Sequence, residues 1–196
     1  SRHLRLMSAI SLTDMSGESV PVIGAFPLLY YASGTMDLEA SEAWVSAHVK
    51  AVQSTLAQCG AIVFRGFGLF SDADFDRFIQ AFSWPNFTYA ESLSNAVRRN
   101  RTPRVFTANE APPDVQIYLH HEMAQTPVYP SRLFFFCEKP ASGGGAMPIC
   151  RSDWLLERLH KVVPNFVDDC ANKGVRYSQT MPAQDDLASG QGRSWR

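Results

Sequence analysis

The stretch IYLHHEMAQTPVYPSRLFFFC, residues 117–137, joins a cluster of metal-binding side chains to an apolar run. His120, His121 and Glu122 are adjacent, and each of these side chains can bind a metal ion. On a β-strand successive side chains point to opposite faces, so His120 and Glu122 would share one face and His121 would lie on the other. If residues 117–123 form a strand or the end of one, the pattern predicts a metal site formed by His120 and Glu122.

The two predicted ligands narrow the choice of metal. An imidazole nitrogen and a carboxylate oxygen suit a borderline ion such as Fe(II), and a site of two histidines and one carboxylate leaves coordination positions open for oxygen and a co-substrate. The alternative is a solvated His–Glu pair, which the tripeptide by itself does not exclude. His121 is interpreted as a histidine that supports the ligands from behind or packs in the core, because adjacent strand residues such as His121 and Glu122 face opposite ways.

The sequence on both sides of this stretch contains helix-forming and strand-forming segments. Apolar residues at helical spacing predict helices over residues 38–60, 71–82 and 152–163. Ser71, with Asp74 closing a capping box, is the predicted N-cap of the second helix, and Ser152 is that of the third. Gly60 and Pro164 are expected to end the first and the third. Short apolar runs predict strands over residues 61–67, 132–137 and 174–180, and an edge strand with a turn within 20–31. This order is typical of an α+β domain with a mainly antiparallel sheet.

The length, composition and charge of the chain limit the classes of protein to which it can belong. The chain has 196 residues, 45% of them apolar, and a formal net charge of −1, which fits one domain over residues 1–196 with a substantial core. No basic block of the kind found in nucleic-acid-binding proteins stands out, and no run of about 18 apolar residues predicts a membrane span. The four cysteines form no C-x-x-C pair and are predicted to be reduced thiols of a cytosolic protein, with Cys137 and Cys150 buried.

Four stretches of the chain carry, in order, the pattern of a known protein family. GAIVFRGFGLFSDADFDRFIQAF (60–82) matches its early strand, turn and helix, and TANEAPPDVQIYLHHEMAQTPVYPSRLFFFCEKPASGGGAMPI (107–149) matches its iron-binding core. RSDWLLERL (151–159) and GRSW (192–195) match two later segments. By these stretches the chain resembles the TauD/TfdA family of Fe(II)- and 2-oxoglutarate-dependent dioxygenases, especially its clavaminate-synthase-like branch with an H-x-E motif.

The resemblance implies a fold and a chemistry. The fold would be mainly β, a double-stranded β-helix or jelly roll with flanking helices, incomplete in this chain. Fe(II) would be held by His120, Glu122 and a distal histidine, and 2-oxoglutarate would chelate the iron and be anchored by a distal arginine. The protein would be a non-haem oxidoreductase that hydroxylates or desaturates a small molecule with O2. Amino-acid-like compounds or natural-product intermediates are the expected substrates.

The chain departs from the family pattern at three places. Between the two ligands it has His121, where the family often has asparagine. It ends one residue after Trp195, before the distal histidine and arginine, so we expect a fragment or a shortened product. The turn of the family reads Gly-Gly-x-Thr, and its threonine helps to hold 2-oxoglutarate. Aligning Gly144 and Gly145 with the two glycines places Met147 at the threonine position, and methionine cannot donate a hydrogen bond.

The irregular stretch 83–116 is the expected position of part of the substrate pocket. Asn109 and Glu110 lie just before the H-x-E motif and are candidate substrate contacts, with an ordinary surface loop as the alternative. Four arginines of this stretch are interpreted as a solvated charged loop or, alternatively, as a group that steers an acidic substrate. They are Arg98, Arg99, Arg101 and Arg104.

Two other functions are compatible with the sequence. Met147 favours an iron oxygenase of the same fold that does not use 2-oxoglutarate. The missing distal ligands favour a non-catalytic jelly-roll binding protein. A histidine followed by an arginine in sequence beyond Arg196 would favour the enzyme over the binding protein.

Overall fold

The structure is a computed structural model, and it describes residues 10–13, 25–34, 36–87, 98–108, 110, 116–178, 180 and 182–185. Contacts divide the chain into two compact units. Unit 1 comprises Ser1–Asn86 with Phe136–Lys139, and unit 2 comprises Phe87–Phe135 with Pro140–Arg196. The single domain expected over the whole chain stays a prediction.

A three-stranded sheet lies in unit 1, with the strands in the order β1-β2-β3. Strands β1 (Ile10–Thr13) and β2 (Leu28–Ala32) are antiparallel, whereas β2 and β3 (Ile62–Arg65) are parallel. A parallel pair needs a long crossover connection, and the helix between these two strands supplies it. The described sheet is therefore mixed, where the sequence predicts a mainly antiparallel one.

β2 is the central strand of this sheet, although the prolines before it predict an edge strand. Pro27 comes directly before the first residue of the strand, so it occupies no position in the hydrogen-bonded ladder. Leu28 donates its backbone N–H to the carbonyl of Ala61 at 3.0 Å, at the start of the pairing with β3. The prediction of an edge strand is wrong because the proline lies just outside the paired residues.

Helix α1 spans Leu38–Cys59 and confirms the first predicted helix. Asp37 caps its N-terminus, because Oδ1 of Asp37 accepts the N–H of Ala40 at 2.7 Å. At the other end Gly60 has a φ of 81°, the left-handed conformation that glycine adopts without steric cost. The N–H of Gly60 closes the last turn with a hydrogen bond of 2.8 Å.

Helix α2 spans Asp72–Gln80 and begins with the predicted cap, since Oγ of Ser71 accepts the N–H of Asp74 at 3.2 Å. In the capping box that the sequence predicts, the carboxylate of Asp74 would return a bond to the backbone N–H of Ser71. Instead Oδ2 of Asp74 accepts the N–H of Phe70 at 3.1 Å. The bond from the Asp74 carboxylate therefore reaches Phe70 in place of Ser71. The start of the helix is still held by side-chain bonds of both Ser71 and Asp74.

The core of unit 1 is built from aromatic rings of α1, β3 and α2 and of the residues that follow β3 and α2. Phe64 lies edge-to-face on Phe78 with ring centroids 5.4 Å apart, and Phe67 packs on these two rings at 5.2 and 5.9 Å. Phe82 and Trp44 extend the cluster, with centroids 6.2 and 6.5 Å from Phe64. Such pairs contribute about 0.5–1.5 kcal/mol each beyond the area that they bury. The cluster therefore fixes both helices against β3.

The turn after β3 requires glycine. Gly68 has a φ of 62°, and a Cβ placed on it would lie 2.0 Å from the carbonyl oxygen of Met36. The N–H of Met36 in turn donates to the carbonyl of Gly66 at 3.0 Å. This close approach joins the turn to the residues that lead into α1.

The described part of unit 2 contains two short helices, α3 (Ser152–Val162) and α4 (Pro164–Lys173). Pro164 ends the first helix as predicted, and at the first position of the second it begins a helix that the sequence pattern does not predict. The sequence predicts Ser152 as the N-cap of α3, but Ser152 is the first residue of the helix itself. The cap is Arg151, which makes no side-chain capping bond.

Two predicted strands are not formed in the described part of the chain. Residues 132–137 belong to no strand, but their side chains alternate between partly buried and exposed, with Leu133 exposed to 47% and Phe135 to 59%. The side chains thus alternate as in a strand, but the segment is not hydrogen-bonded to a partner strand. Residues 174–178 and 180 likewise belong to no strand.

The cysteines differ in burial. Cys59 is buried, and its thiol donates to the carbonyl of Ala61 at 3.2 Å. Cys137 and Cys150 are exposed, so the prediction that they are buried is wrong, because each lies in a segment outside the helices and the sheet. The cytosolic location inferred from the thiols stays a prediction. Among the residues placed by the structure, no helix is both long and apolar enough to cross a membrane.

We expect Phe78→Ala to lower the free energy of unfolding by about 3–5 kcal/mol, because it empties the centre of the aromatic cluster. Phe78 is 3% exposed and contacts Phe64, Phe67 and Phe82. Urea unfolding followed by circular dichroism measures the change. Phe70→Ala is the matched control, since Phe70 is 75% exposed and its loss should change the free energy by less than about 0.5 kcal/mol. Equal losses in both variants would contradict this core.

Candidate functional site

The H-x-E motif lies at the start of a turn and not in a strand. Residues 116–121 belong to no strand, and the turn begins at Glu122. Met123 has a φ of 60°, a left-handed conformation that lies outside the region of β-strands. The predicted strand is therefore wrong, and strand alternation is not what brings His120 and Glu122 together.

The turn is fixed by two buried residues. Met123 is 3% exposed and Thr126 is 8% exposed. The N–H of Thr126 donates to the carbonyl of Met123 at 3.0 Å, and its hydroxyl donates to the carbonyl of Val128 at 2.6 Å. Met123 follows Glu122 directly, and its side chain is buried. Its burial holds the unusual backbone conformation directly after Glu122.

The two predicted ligands approach each other across the start of this turn. Nδ1 of His120 lies 2.7 Å from the carbonyl oxygen of Tyr118, which can only accept, so Nδ1 carries the proton. In the neutral ring the lone pair is then on Nε2, and Nε2 lies 4.0 Å from Oε2 of Glu122. The side chain of His120 is 58% exposed and that of Glu122 is 14% exposed. The pair therefore combines an accessible nitrogen with a largely buried carboxylate.

The separation of these two atoms can be compared with the reach of a single metal ion. Zn²⁺ lies about 2.0–2.2 Å from imidazole nitrogens and carboxylate oxygens, so two such donors are at most about 4.3 Å apart and about 3.4 Å apart at neighbouring tetrahedral positions. The observed 4.0 Å is within the upper limit, and binding of one ion would require the two donors to move closer together. Metal-bound histidines usually donate the other ring N–H to a carbonyl or carboxylate, as His120 does to Tyr118. Within the described ranges, however, no three His, Cys, Asp or Glu side chains come together to hold a metal.

Glu122 is held by a residue that the sequence pattern does not connect with the motif. Nη2 of Arg98 lies 3.0 Å from Oε1 of Glu122, and the two side chains are 15% and 14% exposed. The same guanidinium donates to the backbone carbonyls of Thr107 and Ala108. Arg98 is therefore a largely buried partner of the motif, and its interpretation as a solvated charge is wrong. The contact escapes sequence reasoning because 24 residues separate the partners.

The neighbouring arginine is a surface charge, as the sequence predicts. Arg99 is 77% exposed, and its Nε lies 3.3 Å from a carboxylate oxygen of Glu110. Glu110, one of the two candidate substrate contacts, is thus engaged by Arg99, and its role toward a substrate stays a prediction. Asn109, the other candidate, lies outside the described residues.

His121 connects the turn to helix α3. Nε2 of His121 lies 2.8 Å from Oγ of Ser152, the first residue of that helix. The hydroxyl that the sequence assigns to helix capping bonds instead to this ring. His121 is exposed, so its interpretation as a core histidine is wrong, whereas support of the ligand segment from behind agrees with the contact.

Two glycines of the glycine-rich stretch have left-handed backbones. Gly144 and Gly145 have φ values of 65° and 70°, and a Cβ on Gly145 would lie 2.7 Å from Cβ of Ala141. Met147 follows two residues later and is 55% exposed. Its place at the threonine position of the family, and any contact with 2-oxoglutarate, stay predictions.

Comparison of the sequence with known proteins shows which family the chain belongs to. The profile of the family described as taurine catabolism dioxygenase TauD, TfdA family matches residues 24–189. The chain belongs to this family. It is 40% identical over 145 residues to a clavaminate synthase-like protein of Arabidopsis thaliana, which covers 74% of this chain and 43% of that protein. The resemblance found in the sequence is confirmed.

A second relative of the chain is less similar in sequence. The chain is 27% identical over 137 residues to the dapdiamide synthesis protein DdaC of Enterobacter agglomerans, over 70% of this chain and 40% of that protein. The chain thus spans about two fifths of the length of these two relatives. The family is one of dioxygenases, which fits O2 and a small molecule as reactants. The described sheet neither confirms nor excludes the jelly roll that the family implies.

An ion pair stands at the start of α3, next to the serine that contacts His121. Arg151 donates through Nε and Nη2 to the two carboxylate oxygens of Asp153, at 2.9 and 2.5 Å. These hydrogen bonds lower the pKa of Asp153 to about 2 from its ordinary value of 3.8. Asp153 also lies in the first turn of the helix, where a negative charge is favourable.

Arg151→Gln is expected to raise the pKa of Asp153 toward 3.8, because the two charged hydrogen bonds are lost. The native pKa lies below the ordinary one, so Asp153 stabilises the fold above pH 3.8 and ceases to do so as the pH falls to about 2. The free energy of unfolding of the variant should lack this dependence on pH. An NMR titration of the Asp153 carboxyl carbon measures the pKa, with Arg158→Gln as control. A midpoint unchanged in Arg151→Gln would contradict the ion pair.

Proposed function

We propose that the protein is a non-haem Fe(II)- and 2-oxoglutarate-dependent oxygenase that hydroxylates or desaturates a small molecule. One observation carries the proposal: Nε2 of His120 and Oε2 of Glu122 are 4.0 Å apart, and Nδ1 of His120 is bonded to a carbonyl. Membership of the TauD/TfdA family supports it, because the family links such a motif to dioxygenase chemistry. The relatives are covered over less than half of their length, so the activity of the whole protein is part of the proposal.

In this proposal His120 and Glu122 hold the iron. The carbonyl of Tyr118 keeps His120 in the tautomer whose Nε2 can bind a metal. The contact between His121 and Ser152 ties the ligand segment to α3 and limits its movement. Bound iron and 2-oxoglutarate would supply the oxidising chemistry, and the side chains of the protein would orient them. The family pattern implies a distal histidine as a further iron ligand and a distal arginine that anchors 2-oxoglutarate.

The proposed substrate is an amino-acid-like compound or a natural-product intermediate. The clavaminate synthase-like relative and the dapdiamide synthesis protein support the choice of this branch of the family. Asn109 and Glu110 are the proposed substrate contacts, since they lie just before the motif. The carboxylate of Glu110 is oriented by Arg99 at 3.3 Å, which would give a substrate a fixed acidic group to meet.

An anaerobic titration with Fe(II), with and without 2-oxoglutarate, tests this function in the longest natural form of the protein. We expect a weak visible charge-transfer band when both are present. His120→Ala should abolish the band because Nε2 is lost, whereas His160→Ala should keep it, since His160 is an exposed residue of α3. A band that persists in His120→Ala would contradict the ligand assignment. Absence of iron binding by the wild-type protein would contradict the function.

Met147 favours a second candidate function, an iron oxygenase of the same fold that does not use 2-oxoglutarate. The methionine side chain has no hydrogen-bond donor, so it cannot replace the threonine that helps to hold 2-oxoglutarate in the family. In this case iron would bind to His120 and Glu122 without producing the charge-transfer band.

Met147→Thr separates the two candidates. A hydroxyl at this position would add a hydrogen bond to a charged ligand, worth about 1.5–3 kcal/mol. We therefore expect the Kd for 2-oxoglutarate to fall by roughly tenfold or more, as measured by calorimetric titration of the metal-loaded protein. Met147→Leu is the control, because it keeps an apolar side chain of similar size. If none of the three proteins binds 2-oxoglutarate, the second candidate is favoured.

A further inference from the structure

Arg98 is fixed in place by the folded-back segment 98–108. A β-bridge between Asn100 and Phe106 closes this segment, and the carbon of the Arg98 guanidinium lies 5.7 Å from the centroid of the Phe106 ring. The guanidinium also donates to the backbone carbonyl of Thr107 at 3.5 Å. Backbone acceptors and an aromatic face therefore set the position of the charge, independently of Glu122.

The two oxygens of the Glu122 carboxylate face different groups. Oε1 lies 3.0 Å from Nη2 of Arg98, and Oε2 lies 4.0 Å from Nε2 of His120. The side chains of Arg98 and Glu122 are only 15% and 14% exposed. Rotation of the carboxylate away from Arg98 would break a hydrogen-bonded ion pair between two largely buried side chains, which is unfavourable.

We propose that Arg98 is a positioning residue that keeps Oε1 of Glu122 off the metal, so that Glu122 binds iron through Oε2 alone. The inference rests on the proposed iron site and goes beyond it, because neither the H-x-E motif nor the family match points to this arginine. Arg98 would act through Glu122 and would not touch the metal or the substrate.

The number of carboxylate oxygens on the metal decides how many positions stay open. A carboxylate can bind a cation through one oxygen or through both. Each oxygen on the iron takes a position that O2 or a co-substrate would need. The guanidinium beside Oε1 opposes a second bond, because a metal cation there would share the oxygen with another positive group. Arg98 would in this way preserve an open position at the iron.

Arg98→Gln tests this role with Mn²⁺ as the probe, in the longest natural form of the protein. Water-proton relaxation at saturating protein reports how many exchangeable waters remain on the bound Mn²⁺. We expect the variant to lose one such water relative to wild type, because the guanidinium that opposes binding of Oε1 to the metal is removed. Arg99→Gln, which alters the exposed neighbour, should keep the wild-type number. An Arg98→Gln protein with the wild-type number of waters overturns the proposal.

A crystal structure of the wild-type protein with Mn²⁺ gives an independent answer that does not require the variant to fold. We expect one oxygen of Glu122 on the metal and the other on Arg98. Both oxygens of Glu122 bonded to Mn²⁺ would overturn the role of Arg98 and leave the metal site intact. Mn²⁺ bound without Glu122, or not bound at all, would overturn the proposed function and this role together.

Discussion

The ion pair between Arg98 and Glu122 is the contact on which the candidate site depends. It joins segments 24 residues apart and allows a carboxylate to stand where only 14% of its side chain is exposed. Burial of a carboxylate without a cation is unfavourable, and the guanidinium offsets that penalty. In the proposed site, the oxygen that faces His120 would bind the metal while the other keeps its partner. The ion pair with Arg98 thus holds the Glu122 carboxylate in place without a metal.

The local elements of the fold could be predicted because their signals are local. Asp37 and Ser71 mark the starts of α1 and α2, and Gly60 marks an end, each through contacts within four residues. Strands differ, since a strand exists only when a partner forms its ladder. The apolar pattern of residues 132–137 predicts which side chains alternate, but it does not say which segment lies alongside.

The candidate site shows the same division. His120 and Glu122 could be selected from the chemistry of their side chains, because few residue types bind metals. The turn that sets their separation could not, since a left-handed methionine such as Met123 is rare and its sequence carries no signal of it. Arg98 could not be selected either, because a long-range ion pair leaves no spacing to read in a single sequence.

Gly68 has a consequence for how variants of this protein are interpreted. Its backbone is left-handed, and any side chain would begin 2.0 Å from the carbonyl oxygen of Met36. Every one of the other nineteen amino acids therefore meets the same obstacle at its first side-chain carbon. Intolerance to substitution at this position would reflect the entry into α1 and not the chemistry of the site. A mutational scan that ranked residues by lost activity would place Gly68 beside the candidate ligands His120 and Glu122 for a purely steric reason.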